Sequence, residues 1–595
     1  MADEAVRREA FFGDLHVHTR YSYDAFVFNV RAGPDDAYRY ARGESLEHPN
    51  GYAMRLRGPP LDFMAVTDHA TYLGVLPSLE HPESRLAGSE LADLLVSEDF
   101  SEAMRGHRQV TRSIITGETH PEVYDETVIR SSWQEIVEAA ERHYEPGEFT
   151  TFVGYEFTSH PGANLHRNVI FRSSKVPEMP FAALDSLNPE KLWRWMDEQR
   201  RRGIDSLAIP HNANWSNGMM FQRSTFRGDA LDSEYSERRL RNEPLVEITQ
   251  VKGTSETHPL LSPNDEWAGF ELFGDDPERL IGGNDGDPVP LQGSYVRDAL
   301  RGGIALEARS GHNPFRFGVV GSSDSHNAAA AYYEADYAGK TGVSDGTPER
   351  RGSVLPEGVT DWDAMLELEP DEAPTPYLIN WSSAGLAGIW AEENTRESLF
   401  RAMRRKETFA TSGPRIRLRF FAGYGYDADV LEAGATQRLY RGGVPMGGDL
   451  PIQDDDAAPR FVVQALGDPL SAGLDRLQII KGWVEDGETR ERVYDVACAG
   501  GEAPDSRTHR CGEVSRKVPG ECGASRDAGA AGLGRVWRDP GFDPNQRAFY
   551  YARVLERPSC RWSTWDARRA GDPPNPKVPA MVQQRAWSSP IWIVP

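Results

Sequence analysis

No cysteine occurs among the first 497 of the 595 residues; all four, Cys498, Cys511, Cys522 and Cys560, fall in the last hundred. Most of the chain is thereby barred from thiolate metal ligation and cysteine nucleophiles. An even number of cysteines gathered in one loop-rich region predicts one or two disulfides and an oxidising compartment, so a periplasmic or secreted protein is expected, with the cytoplasm as the alternative. The spacings of 13, 11 and 38 residues lack the close pairs typical of zinc sites, although a zinc site and reduced thiols stay open as other readings. The N-terminal "MADEAVRREAFFGDLH" shows no charged-then-apolar leader, so export would need one removed ahead of Met1.

Basic residues are also scarce. Against 91 Asp and Glu stand 66 Lys and Arg, a formal net charge of −25. A nucleic-acid backbone is excluded as the main partner, because phosphate contacts need clustered cations. No apolar run approaches the roughly 18–20 residues of a membrane span, so no membrane partner is expected. With 39% apolar and 26% charged residues the chain reads as globular, and its length allows about two to four domains.

Two textures divide the chain. Up to about residue 415, short apolar runs alternate with amphipathic stretches. Candidate strands are "FFGDLHVH" (11–18), "LDFMAVTDH" (61–69), "FTTFVGYEF" (149–157), "LHRNVIF" (165–171), "DSLAIPH" (205–211), "PLVEITQV" (244–251), "FRFGVVGSS" (315–323) and "AGLAGIWA" (384–391). Helical spacing marks "SSWQEIVEAAERHY" and "TRESLFRAMRRKE". Such alternation predicts βαβ units, an α/β fold and a barrel-like parallel sheet over residues 1–415. From 416 to 595, alternating runs such as "RFVVQAL" and "AFYYARVLE" between Gly, Pro and Asp predict an antiparallel, Ig-like β-sandwich. The stretch from Gly500 to Gly534 reads as a long loop held by the cysteines. Bulky inserts before His69 and after Glu256 suggest a lid or an interface and leave a homo-oligomer open.

The chemistry gathers where strands end. The first closes in "HVH", the second in "TDH", the third in "GYE", the fifth in "PHN" and the seventh in "SSDSH", while the fourth begins at His166. Composition alone yields about a third of an H-x-H pair by chance. A lone histidine is more often a core or loop residue. Five polar strand ends in one region are another matter, since such ends converge on the C-terminal mouth of a parallel barrel. Alternate residues share a face, so His16 and His18 can point together, as can Asp324 and His326. Imidazoles with carboxylates are the donor set of Zn, Mn or Fe clusters.

In this order, "DLHVHT", "TDH", "GYE", a later His, "PH" and "SDSH" resemble the polymerase and histidinol phosphatase (PHP) superfamily of metal-dependent phosphoesterases. The whole chain, including "FATSGPRIRLRFF" and "FYYARVLERPSCRW", is similar to the PHP-like family of the domain of unknown function 3604. The resemblance implies a distorted (β/α)7 barrel and two or three divalent ions. Carried across, it implies a first metal on His16, His18, Glu156 and Asp324. A second would be bridged by Glu156 and completed by His166 and His211, and a third would take His69, His326 and Asp24, where many relatives carry a histidine. His160 competes with His166, which is preferred because it opens an apolar strand. Metal-activated hydroxide would then attack a phosphate ester or related small anionic ester.

Asp68 and Asp324 are candidate catalytic carboxylates, with orientation of a ligand the commoner role for Asp68. Asn212, Asn214, Trp215, Lys252 and Glu256 are candidate substrate contacts. His312 reads as a loop stabiliser and Arg20 as surface. Two other functions remain: the same metals hydrolysing a carboxylic ester, sulfate ester or amide, and a secreted binding protein with a vestigial barrel.

Overall fold

The computed structural model describes residues 7–594 apart from 82, 98, 274–290, 365–377, 433, 454–456, 514–521 and 523–528. Its N-terminal strands are β1 (Glu9–Val17), β2 (Phe63–Val66), β3 (Thr150–Phe157), β4 (Arg167–Phe171), β5 (Ser206–Pro210), β6 (Leu245–Gln250), β7 (Gly318–Gly321), β8 (Leu386–Ala391) and β9 (Thr408–Thr411). From β2 to β9 every strand residue is buried, as a sheet covered on both faces requires. Helices supply that cover. Glu126–Arg142 buries Ile129, Trp133, Ile136 and Ala140 on one face, and the Asp125 carboxylate caps it by accepting from the Thr127 and Val128 N–H groups.

The fold is mixed α/β rather than uniformly parallel. β1, β2 and β3 pair in parallel, but β4 returns antiparallel to β3 and β5 runs antiparallel to β4. Residues 158–166 are too few for a parallel crossover, which needs about a dozen or more. The reversal puts the start of β4, where His166 lies, beside the end of β3. β6 and β7 form a parallel pair in a separate sheet, and a bridge from Val17 to Ser325 brings the end of β7 back to the end of β1. β8 is antiparallel to β1, a second departure from the parallel expectation.

The C-terminal strands are β10 (Arg417–Gly423), β11 (Arg460–Leu466), β12 (Leu474–Glu485), β13 (Glu488–Cys498), β14 (Gly532–Arg538), β15 (Ala548–Glu556), β16 (Arg585–Ser588) and β17 (Ile591–Val594). They pair antiparallel, β10 with β11, β11 with β14, and β12 with both β13 and β15. β16 pairs with β9, so one hydrogen-bonded sheet runs from β5 through β1 into the C-terminal strands and crosses residue 415. One apolar cluster likewise mixes Val246, Ile248 and Leu300 with Phe549, Tyr551 and Trp587. Two disulfides form, Cys498–Cys511 and Cys522–Cys560, as the cysteine spacing suggested. The loop expected over Gly500–Gly534 gives way to β14 at Gly532, and much of its middle lies outside the described residues. Among the described residues no helix is long and apolar enough to cross a membrane.

Candidate metal centre

His16 and His18 sit at the end of β1 and just beyond it. The Asp324 N–H donates to the His16 carbonyl at 2.9 Å, and the His18 N–H donates to the Ser325 carbonyl at 2.8 Å. Asp324 takes φ 56°, a left-handed conformation in which Asp is better tolerated than bulky residues. Those backbone bonds hold it there, where its carboxylate meets both imidazoles: Oδ1 lies 3.4 Å from His16 Nε2 and 3.5 Å from His18 Nε2.

Glu156 is the centre of the cluster. Its Oε2 lies 3.3 Å from His16 Nε2 and 3.2 Å from His18 Nε2. Its Oε1 lies 2.9 Å from His166 Nδ1, 3.4 Å from His69 Nδ1 and 3.5 Å from His211 Nε2. On the far side Asp24 Oδ2 lies 3.2 Å from His69 Nε2 and 2.9 Å from His326 Nε2. Donor atoms within 4.8 Å of one another occur in four overlapping groups: His18, His69 and His326; His16, His211 and Glu247; His16, His18 and Asp324; and Glu156, His166 and His211. All nine residues expected as ligands are thus brought together. His160 instead hydrogen-bonds Asn164 at 2.7 Å, so His166 is the histidine on Glu156.

The donor set fits divalent cations. Both ring nitrogens of His211, His166 Nε2 and Asp324 Oδ1 are buried without a hydrogen-bond partner, whereas buried polar atoms are normally paired. Nitrogen and oxygen donors of this kind suit Zn, Mn or Fe. Charge points the same way. Burial by itself would lower His16 and His69, yet Asp324 with Glu247 lifts His16 to about 10, and Glu156 with Asp24 lifts His69 to about 10. Burial likewise disfavours ionised Asp24, Glu156 and Asp324, but surrounding cationic groups hold all three well below the usual carboxylate range. Carboxylates that draw protons onto neighbouring imidazoles are short of positive charge. At His166, His211 and His326 burial outweighs the same carboxylates, and His166 falls to about 3.

A second layer aims the rings. His16 Nδ1–H points to Glu247 Oε2 at 3.1 Å, leaving Nε2 for the cluster. His18 Nδ1–H donates to Ser22 Oγ at 2.8 Å, and Ser22 donates onward to Asp68 at 2.7 Å. Asp68 also accepts from the Thr19 N–H at 2.6 Å and the Thr19 hydroxyl at 2.7 Å. Both its oxygens are thus spent on the turn after β1. Asp68 therefore holds the turn that carries His18, the orienting place that the sequence reading offered beside a catalytic one.

Of the expected substrate contacts, Asn212 and Trp215 keep free donors. Asn212 Nδ2 and Trp215 Nε1 are buried without partners, and Trp215 packs on Phe273 and Trp381 at 4.5 and 6.0 Å between ring centroids. Lys252 reaches Asp324 and lies 5.8 Å from the Trp215 ring centroid. Asn214 is corrected: its amide donates to the Lys252 carbonyl and accepts from Ser255, both at 3.0 Å. Glu256 is corrected too, because Arg297, Arg553 and Tyr551 occupy its carboxylate. His312 bonds Ser236 at 3.0 Å, in keeping with a loop role, and the Arg20 guanidinium lies over the Tyr21 ring.

Two residues escaped the sequence reading. Glu247 interrupts the apolar run of β6 as a buried carboxylate, a signal that was present in "PLVEITQV". Lys340 lies in the glycine-flanked "YAGKTG", which carries no local sign of function, yet its ammonium is 2.7 Å from His326 Nδ1.

A family model described as "Protein of unknown function (DUF3604)" matches residues 5–595. No curated protein matches the chain. Among solved structures, a two-domain protein from Bacteroides vulgatus containing a predicted PHP-like metal-dependent phosphoesterase is similar at 11% identity and a TM-score of 0.26, over 84% of this chain and 90% of that one. The family match spans nearly the whole sequence, and on it the chain belongs to the DUF3604 family.

Proposed function

We propose that this protein is a metal-dependent hydrolase of a phosphate ester or related small anionic ester, acting at the cluster around Glu156. The observation that supports it is the buried convergence of six histidines with Asp24, Glu156 and Asp324, several of whose donor atoms have no protein partner. His16, His18, Glu156 and Asp324 would hold one ion, Glu156, His166 and His211 a second, and Asp24, His69 and His326 a third. Divalent ions there would supply Lewis acidity and a nucleophile usable near neutral pH. The chain itself does the rest. Glu247, Ser22 and Thr158 fix the histidine rings, and Asn212 Nδ2 and Trp215 Nε1 offer donors to a substrate oxygen. The same reading takes residues 1–415 as a PHP-type distorted barrel and residues 416–595 as a β-sandwich. It also takes the two disulfides as the mark of an exported protein.

The test begins with metal content, by inductively coupled plasma mass spectrometry on protein purified without chelators. Turnover is then compared on matched aryl phosphate, sulfate and carboxylate esters. Two or three Zn, Mn or Fe ions per chain with the phosphate ester preferred is the expected result. Preference for another ester on the same metals would move the substrate and keep the chemistry. Protein that neither carries nor takes up Zn or Mn would leave a binding protein in its place.

A further inference from the structure

Lys340 poses a problem of hydrogen-bond supply. It is only 3% exposed, and its ammonium meets His326 Nδ1 at 2.7 Å and Asp324 Oδ1 at 3.5 Å. A buried ammonium needs acceptors, since an unpaired buried charge is among the most costly groups in a folded chain. Both of these are compromised by the reading above, on which this inference rests. If His326 Nε2 serves a metal alongside Asp24, the neutral ring carries its proton on Nδ1, where it donates to the Asp324 carbonyl at 3.0 Å. Nδ1 then cannot accept from lysine. If Asp324 Oδ1 also serves a metal, its lone pairs are shared, and Oδ2 is already taken by Lys252. Lys340 is left with a full charge and no acceptor of its own.

Lys252 arrives at the same carboxylate from the loop after β6, and its side chain is 14% exposed. The two ammoniums lie near two stacked indoles, Lys252 5.8 Å from the Trp215 centroid and Lys340 5.9 Å from the Trp381 centroid. Asp324 lies between these two like charges, and once its oxygens are shared with a cation it no longer offsets both, so that a further anion there would relieve their repulsion. Charge balance sets the size of that anion. Asp24, Glu156, Glu247 and Asp324 against two lysines leave a deficit of two positive charges, which two divalent cations would turn into a surplus of two and three into a surplus of four, so that either count calls for an anion of more than one charge.

We propose that Lys340, with Lys252, is a specificity-determining pair that binds the non-reacting oxygens of a doubly charged head group, selecting phosphate monoesters over phosphodiesters and singly charged esters. The two lysines touch the substrate's charged oxygens. Trp215 beside them offers an aromatic surface and a free N–H to the rest of the molecule.

The experiment uses the full-length, metal-loaded protein and measures binding by isothermal titration calorimetry, with inorganic phosphate at about pH 7.5, where it is largely dianionic, and dimethyl phosphate as the singly charged control. Lys340→Met and Lys252→Met should each weaken phosphate about tenfold or more, as loss of a charge-assisted hydrogen bond does. Dimethyl phosphate should bind weakly and change less than about twofold in either variant, and metal content should stay at the wild-type level. Lys340→Arg, which keeps the charge, should recover part of the phosphate affinity and guards against a folding defect in the Met variant. Unchanged phosphate binding in Lys340→Met with metal retained would overturn the proposal and leave the hydrolase reading intact. So would loss of metal in step with the charge, which would make Lys340 a structural counter-ion of Asp324. A wild-type protein that holds no metal overturns the hydrolase reading itself and the lysine proposal with it.

Discussion

Two buried assemblies of charged side chains lie in this molecule, and they are built on opposite principles. In the cluster around Glu156, the carboxylates of Asp24, Glu156 and Asp324 and six imidazoles face one another, several donor atoms being left unpaired. In the seam between the insert after β6 and the C-terminal strands, Arg297 bonds Glu256 at 2.6 Å and Asp265 at 2.8 Å, and Arg553 bonds the same two at 2.9 and 2.8 Å. Tyr551 accepts from Arg297 at 2.7 Å and donates to Glu256 at 2.6 Å. There each acid has a guanidinium, and each guanidinium has an acid. Burial and charge alone therefore do not distinguish a binding site from a structural lock. Unspent hydrogen-bonding capacity does.

The sharpest way to break that contrast is to remove the shared carboxylate. Glu156→Ala should cost about a thousandfold or more in kcat, as loss of a group on which several others depend does. Metal content should fall while the far-ultraviolet circular dichroism spectrum is kept; an unchanged rate would reject the ligand model. On the other side, Arg553→Met leaves Glu256 and Asp265 with half their cationic partners and should destabilise the fold by about 3–5 kcal/mol in urea unfolding. Metal content should be untouched. If it drops in parallel, the seam and the cluster act as one unit and the contrast fails.

A gentler change tests the supports. Asp68→Asn disturbs the Thr19 and Ser22 contacts that aim His18 and should weaken metal binding about 10–100-fold, measured by competition with a chelator of known affinity. An unaltered affinity would mean that the backbone alone sets the ring. The smallest effect expected is one of pH. Burial would raise Glu256, but Arg553 and Arg297 outweigh it and hold the carboxyl at about 2. A carboxylate depressed on folding binds fewer protons in the native state, so its contribution is complete above its ordinary value of 4.5 and is lost as the pH falls through about 2. Thermal unfolding between about pH 5 and pH 2 should show this loss, and Glu256→Gln should flatten the profile. A variant with the wild-type slope would assign the acid sensitivity to other groups.

Much of the centre could be read along the chain because metal ligands of strand-based sites sit at strand ends, where they leave a linear trace: "HVH", "TDH", "GYE", "PHN" and "SDSH" each follow an apolar run. Glu247 was missed although it stands alone in such a run, because it lies inside its strand and not at the end. Glu256 was misread for the opposite reason. It follows β6 closely, as a site residue would, but Arg553 comes from β15, 297 positions away in sequence, and no local pattern foretells that pairing. The fold divides the same way. Strand positions were legible from their apolar content, while the reversal at β4 depends on the length of its connection and was overlooked.

What the sequence by itself determined is the chemistry available: which donors exist, which strands carry them, and that no thiol occurs in the 497 residues that supply them. It also pointed to disulfides among the four clustered cysteines, but which of them pair came from the fold. The tertiary structure alone decided which charges meet. The sheet brings β1, β3 and the end of β7 together so that donors from distant segments share one volume, and it closes arginines from the C-terminal strands over Glu256. The same kind of carboxylate is free to serve a cation beside unpaired imidazoles and is a structural anion beside guanidinium, because a buried charge is governed by whatever partner the fold places within a few ångströms of it.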